Sequence, residues 1–246
     1  MSSSIIQNKL QELGLKGMAR ALEMQLQLPE QQRLGFEQRL GMLIDAEVSD
    51  RDTRKTERHL KGARLRFANA VMEDINYRRD RKLDQQLIKS LADCAWIQRR
   101  QNIIVTGATG TGKSYIACAF GAQACRQGLL THYTTATQLF EQLALAKADG
   151  SLPKLRRQLV KTQLLIIDDW GLGGVDPSLG PALLDVIDLQ SNNGSLLITS
   201  QYPTEKWYEQ FNDPTIADAI LDRIVHRAHR LQLHGESMRK VKGKDI

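Results

Sequence analysis

The sequence predicts an α/β domain, a parallel sheet flanked by helices, preceded by a small all-helical domain. Three observations predict it. From about Ala68 onward, short apolar runs alternate with helical stretches. The runs are almost continuously apolar, as strands buried on both faces require. A glycine-rich motif stands where the first of these runs gives way to a helix.

The first 67 residues read as helix. Ile6, Leu10, Leu13, Met18, Leu22 and Leu26 recur at roughly helical spacing, and Gly14 and Gly17 predict a break between two short helices. Pro29 opens a new segment that continues helically to about Phe67. Between Arg51 and Arg66, the basic residues Arg51, Arg54, Lys55, Arg58, Lys61, Arg64 and Arg66 are opposed only by Asp52 and Glu57. Their three- and four-residue spacing lines several along one face. That face is either simply solvated or a ridge for nucleic-acid phosphates. The boundary falls near residue 67, giving domains 1–67 and 68–246.

In the second domain, "NIIVTG", "THYTT", "LLIID" and "SLLITS" read as strands. "SYIACAFGAQACRQG", "ATQLFEQLALAKA" and "PALLDVIDLQSNN" read as the helices between them. A hydrophobic fraction of 41% over 246 residues supports a real core, and the net charge of +6 favours a polyanionic partner. Cys94, Cys118 and Cys125 form no C-x-x-C pair, which argues against a structural zinc site and fits a reducing compartment. The opening "MSSSIIQNKL" lacks the pattern of a signal peptide, and no apolar run nears the ~20 residues that span a bilayer. The expectation is a cytoplasmic protein with no membrane partner.

The motif is G-x-x-x-x-G-K-[ST], running Gly107, Ala108, Thr109, Gly110, Thr111, Gly112, Lys113, Ser114, with Tyr115 next in the helix. Its glycines let backbone N–H groups wrap around phosphates, and the helix start adds partial positive charge. Lys113 suits the β- and γ-phosphates, and the Ser114 hydroxyl suits Mg²⁺. These residues predict ATP with Mg²⁺.

"LLIIDDWG" ends an apolar run on two carboxylates. Asp168 falls at the sheet's carboxyl edge, where a metal ligand would stand. Side chains alternate along a strand, so Asp169 can aim at the same centre only if the backbone turns. It then either orients the attacking water or merely forms a turn.

Together with "LLITSQYP" and "DAILDRIVHRAHRLQLHGESMR", these motifs resemble the AAA+ ATPases of the DnaC/IstB group, the IstB branch in particular. The resemblance covers nearly the whole chain. It implies an AAA+ P-loop NTPase fold. The sequence runs only a few residues past Arg239, so little or no separate helical lid is expected. The resemblance implies that Asp168 is the Walker B metal ligand and Asp169 the water-activating carboxylate. Most AAA+ proteins carry Glu at the second position; Asp matches the IstB-like subset. Ser200 or Gln201 would sense the γ-phosphate. Arg223 would be an arginine finger acting on a neighbouring subunit, and Arg239 a second sensor. Without the resemblance, Arg223 reads as an exposed helix charge and Arg239 as part of a basic tail.

The resemblance further implies an oligomer with ATP sites between subunits. Such an oligomer would assemble on duplex DNA largely without sequence preference and serve a transposase. Two alternatives stand beside it. A helicase loader of the DnaC type shares the core, but single-strand binding favours aromatics, and the first 67 residues hold only Phe36 and Phe67. A small-molecule P-loop kinase would need neither paired carboxylates nor a basic appendage.

Overall fold

The computed structural model describes residues 3–172 and 176–238. The chain divides into two compact units between Arg58 and His59. Among the described residues, no helix is long and apolar enough to cross a membrane.

The first unit is helical: α1 (Ser3–Glu12), α2 (Lys16–Gln27), α3 (Pro29–Gln32) and the long α4 (Phe36–Ala63), which continues past the division. Gly14, in the left-handed region, ends α1. Its N–H donates to the Gln11 carbonyl and that of Leu15 to the Leu10 carbonyl, the bond pair that closes a helix on a glycine. The expected break between two helices falls at Gly14, and Gly17 lies just past it in the first turn of α2. Its role is close approach: a Cβ there would sit 2.5 Å from the Ala46 carbonyl oxygen and 2.7 Å from Glu47 Cα. The start of α2 has no side-chain cap of its own. Glu47 of α4 supplies one, accepting the N–H groups of Gly17 (2.8 Å) and Met18 (3.3 Å), a negative charge at a helix amino end.

After the end of α4, the second unit continues with α5 (Gln85–Leu91), capped by Asp84, and the short α6 (Ala95–Gln98). Then come β1 (Asn102–Gly107), α7 (Lys113–Arg126), β2 (Thr131–Thr135), α8 (Ala136–Ala148), α9 (Leu152–Leu159) and β3 (Leu164–Trp170). After these follow α10 (Gly180–Asn193), β4 (Ser195–Ser200), α11 (Pro214–Val225) and β5 (Ala228–Leu233). The five strands form one sheet in the order β2-β3-β4-β1-β5, every pair parallel. β5 escapes sequence reading because it is an edge strand, "AHRLQL", with only Leu231 and Leu233 buried.

The period of two along each strand builds two cores. Ile103, Val105, Leu164, Ile166 and Leu197 pack with α7 residues such as Phe120 and with Trp96 of α6. Ile104, Leu165, Ile167, Leu196 and Ile198 pack on the other face with Leu139, Leu183, Ile187 and Ile220. The central strands are therefore apolar at successive positions, and polar side chains cluster at their carboxyl ends. Asn102 ties the opposite edge together. Its amide donates to the carbonyls of Arg223 and Ile224, and its oxygen accepts from Leu196 N–H.

Candidate active site

The phosphate loop joins β1 to α7, as the motif requires. Gly110 and Gly112 hold φ of +82° and +93°, which side chains rarely adopt. A Cβ on Gly110 would also collide with Ser237 in the turn after β5, and Met238 N–H donates to the Gly110 carbonyl at 2.8 Å. Lys113 is buried, and its ammonium donates to the carbonyls of Gly107 (2.9 Å) and Ala108 (3.0 Å). Burial pushes its pKa down, while the charges of Asp169 and Asp168 work against that shift. Thr111 Oγ1 donates to the Ala108 carbonyl. The ring of Tyr115 lies 5.9 Å from that of Phe67.

Asp168 is fully buried. The Ser114 hydroxyl donates to its Oδ1 at 2.9 Å, and Thr199 Oγ1 donates to the same oxygen. Its Oδ2 accepts the Tyr133 hydroxyl at 2.6 Å, and burial, then the bond to Asp168, raises the Tyr133 pKa. A carboxylate so partnered can be kept in a core that would otherwise exclude it.

Asp169 reaches the same place through a bulge. Between β3 and β4, Ile167 pairs with Ile198 and Trp170 with Ser200, so β3 spends one more residue than β4. Asp169 takes the left-handed conformation, φ 58°, which Asp tolerates better than most residues. Its N–H donates to Thr199 Oγ1 at 3.0 Å. The turn expected after the strand is a bulge inside it, and β3 resumes at Trp170.

The two sensor candidates separate. Ser200 is buried, and its hydroxyl donates to the Trp170 carbonyl (2.7 Å) while accepting Tyr202 N–H. Gln201 is partly exposed and accepts Thr109 Oγ1 of the phosphate loop at 2.7 Å. Arg223 stands far from its own loop. Its carbonyl is bonded at the amino end of β1, about 17 Å along the strand from Gly107 at ~3.3 Å per residue. Its guanidinium pairs with Asp188 of α10 and donates to the Ala219 carbonyl. Arg239 lies outside the described residues.

The basic ridge is divided. Arg51 pairs with Glu47 at 2.7 Å, and Arg54 with Asp50 at 2.6 Å and Glu47 at 3.5 Å. Lys55, Arg58 and Lys61 are exposed on α4, and Arg64 is exposed just beyond it. Arg66 points elsewhere: its Nη1 is 3.7 Å from Asp168 Oδ2 and 3.7 Å from Asp169 Oδ2.

Sequence reasoning missed Tyr133, Thr199 and Arg81. Arg81 is buried behind the loop, and Nη2 donates to the Thr111 carbonyl at 2.6 Å. Burial pushes its pKa down. The signal for Thr199 was present, a polar residue inside the apolar run "SLLITS". Arg81 had none, being one of four basic residues in "RRDRK".

A parallel sheet ordered 2-3-4-1-5, with a phosphate loop after β1 and an acidic end on β3, defines an AAA+ P-loop ATP-binding protein. Solved structures share this fold. DnaI superposes with a TM-score of 0.57 over 67% of this chain and 91% of its own, at 15% identity. The DnaC helicase loader does so at 0.56 over 68% and 98%, also at 15% identity. Residues 8–245 match the family described as IstB-like ATP binding protein, and the chain belongs to it. A relative from Sinorhizobium fredii, named as an insertion sequence ATP-binding protein, is 42% identical over 95% of each chain. Another, from Pseudomonas fluorescens and named for insertion sequence IS1162, is 46% identical over 80% of this chain and 85% of its own.

Proposed function

We propose that the chain is a Mg²⁺-dependent ATPase of an insertion sequence, assembling on duplex DNA and serving a transposase. One observation carries the ATPase reading: Ser114, Asp168, Thr199 and Asp169 form one bonded group beside the phosphate loop. The names of the insertion-sequence relatives support the biological setting.

The donor set fits Mg²⁺. A hydroxyl and a carboxylate oxygen 2.9 Å apart are hard ligands of the kind this ion takes alongside water and nucleotide phosphates. Among the described residues no group of three or more His, Cys, Asp or Glu could hold a metal, so nucleotide oxygens and water would complete the shell. Bound there, the ion would neutralise charge on the β- and γ-phosphates.

The chain's own groups do the rest. Loop N–H groups and Lys113 hold the phosphates, Lys113 exchanging its carbonyl partners for phosphate oxygens. Asp169 orients the attacking water and accepts its proton. Gln201, already bonded to the loop, reads the γ-phosphate in preference to Ser200, whose hydroxyl is committed to the bulge. Arg223 cannot reach its own site and acts on a neighbour's after releasing Asp188, which couples nucleotide to assembly. Lys55, Arg58, Lys61 and Arg64 supply salt-sensitive phosphate contacts to DNA.

The test is ATP hydrolysis with and without long duplex DNA, alongside light scattering. DNA-stimulated turnover in an ATP-dependent oligomer is expected. A monomer whose slow turnover ignores DNA overturns the reading.

A further inference from the structure

The paired carboxylates face a cation that the phosphate-loop motif does not contain. Arg66 stands three residues beyond α4, where Arg64 at φ 55° turns the chain. Its Nη1 is equally far, 3.7 Å, from Oδ2 of Asp168 and of Asp169. The Asp168 oxygen involved is the one that accepts the Tyr133 hydroxyl. The guanidinium carbon lies 5.8 Å from the centre of the Phe67 ring, and that ring rests on Tyr115 in the first turn of α7. Arg66 is thus held between an aromatic face and two acids.

Charge explains the placement. Two adjacent carboxylates, one fully buried, repel each other unless a cation stands between them. With Lys113, Arg66 brings the formal charge of the four groups to zero. A divalent cation entering at Ser114 and Asp168 then meets Arg66 as a like charge on the same carboxylate. We infer that Arg66 is a positioning residue that competes with the divalent cation for Asp168 and holds Asp169 in its working direction. It thereby links cation loading to the segment that follows α4. The inference rests on the ATPase reading above.

The test uses the full chain with a non-hydrolysable ATP analogue and Mn²⁺, counting free Mn²⁺ by electron paramagnetic resonance. Removing a like charge 3.7 Å from the carboxylate that takes the divalent cation should tighten Mn²⁺ binding about ten-fold, the fold-change that ~1.4 kcal/mol gives. In the same Arg66→Ala protein, ATP turnover at saturating Mn²⁺ should fall about ten-fold or more as Asp169 loses its orientation. Arg66→Lys keeps the charge, so its Mn²⁺ midpoint should stay within about two-fold of the wild type. Turnover should remain low, because the planar fork is gone.

A wild-type or weaker Mn²⁺ affinity in a folded Arg66→Ala protein overturns the inference. If the alanine variant unfolds, Arg66→Gln, which retains the stem over Phe67, is read by the same criterion. Asp168→Asn separates the two levels. Should it bind Mn²⁺ with nucleotide as the wild type does, the metal site itself is misassigned, whatever Arg66 shows.

Discussion

At the scale of single residues, Thr199 joins the two acids, donating to Asp168 and accepting from the Asp169 N–H. Thr199→Val keeps the shape and removes both bonds. Leaving buried polar groups unpaired costs about 1–3 kcal/mol each, so a lower melting temperature is expected with hydrolysis reduced. Asp169→Asn preserves both shape and tolerance of positive φ. Under the proposed role, it should bind a fluorescent ATP analogue as the wild type does while phosphate release drops by ~10²–10⁴-fold. Normal turnover would leave Asp169 as only the residue that allows the bulge. The acids themselves were legible in "LLIIDDWG"; the means by which both face one centre was not. A bulge depends on the register of β3 against β4, and pairing register is not written in either strand alone.

At the scale of elements, α2 and α4 meet through a missing side chain and a borrowed cap. Gly17→Ala would force a Cβ to within 2.5 Å of the Ala46 carbonyl oxygen, and overpacking of this kind costs about 1–3 kcal/mol. Thermal melting of the full chain should show an earlier loss of helical signal. Glu47 adds a pH dependence. Its bond to Arg51 is the largest influence and, with the Gly17 and Met18 N–H groups, holds its pKa below the usual 4.5 against the opposing effect of burial. A depressed carboxyl contributes stability above its unfolded value, and that contribution disappears as the pH falls through the folded one. Melting should therefore weaken below about pH 4.5 in the wild type and more shallowly in Glu47→Gln. Helical periodicity revealed that these helices exist. It did not reveal the close contact at Gly17, because a helix-breaking residue and a close-contact residue look alike until the second helix is known.

At the scale of the whole molecule, the proposed assembly is tested by mixing variants. Arg223→Ala and Lys113→Ala should each be inactive alone, and together should recover part of the hydrolysis if the arginine serves a neighbour. No recovery at any ratio would place Arg223 in an internal ion pair with Asp188 and nothing more. For DNA, replacing Lys55, Arg58 and Lys61 by neutral residues should flatten the dependence of log affinity on log salt. The slope should change by about 0.9 for each phosphate that no longer meets a cation. Arg51 and Arg54, already paired with acids, should matter less. The order of strands and helices was readable from alternating texture. β5 was not, since an edge strand needs only one buried face and here buries just two leucines.

The clasp of Met238 and Ser237 on Gly110 also sets a timetable for synthesis. The phosphate loop leaves the ribosome well before the segment that braces it, which comes about 125 residues later. A growing chain therefore carries its nucleotide motif through all of those residues without the support that shapes it. Competence to hold ATP should arise abruptly, once residue 238 is free to fold back, rather than accumulate as the sheet is built.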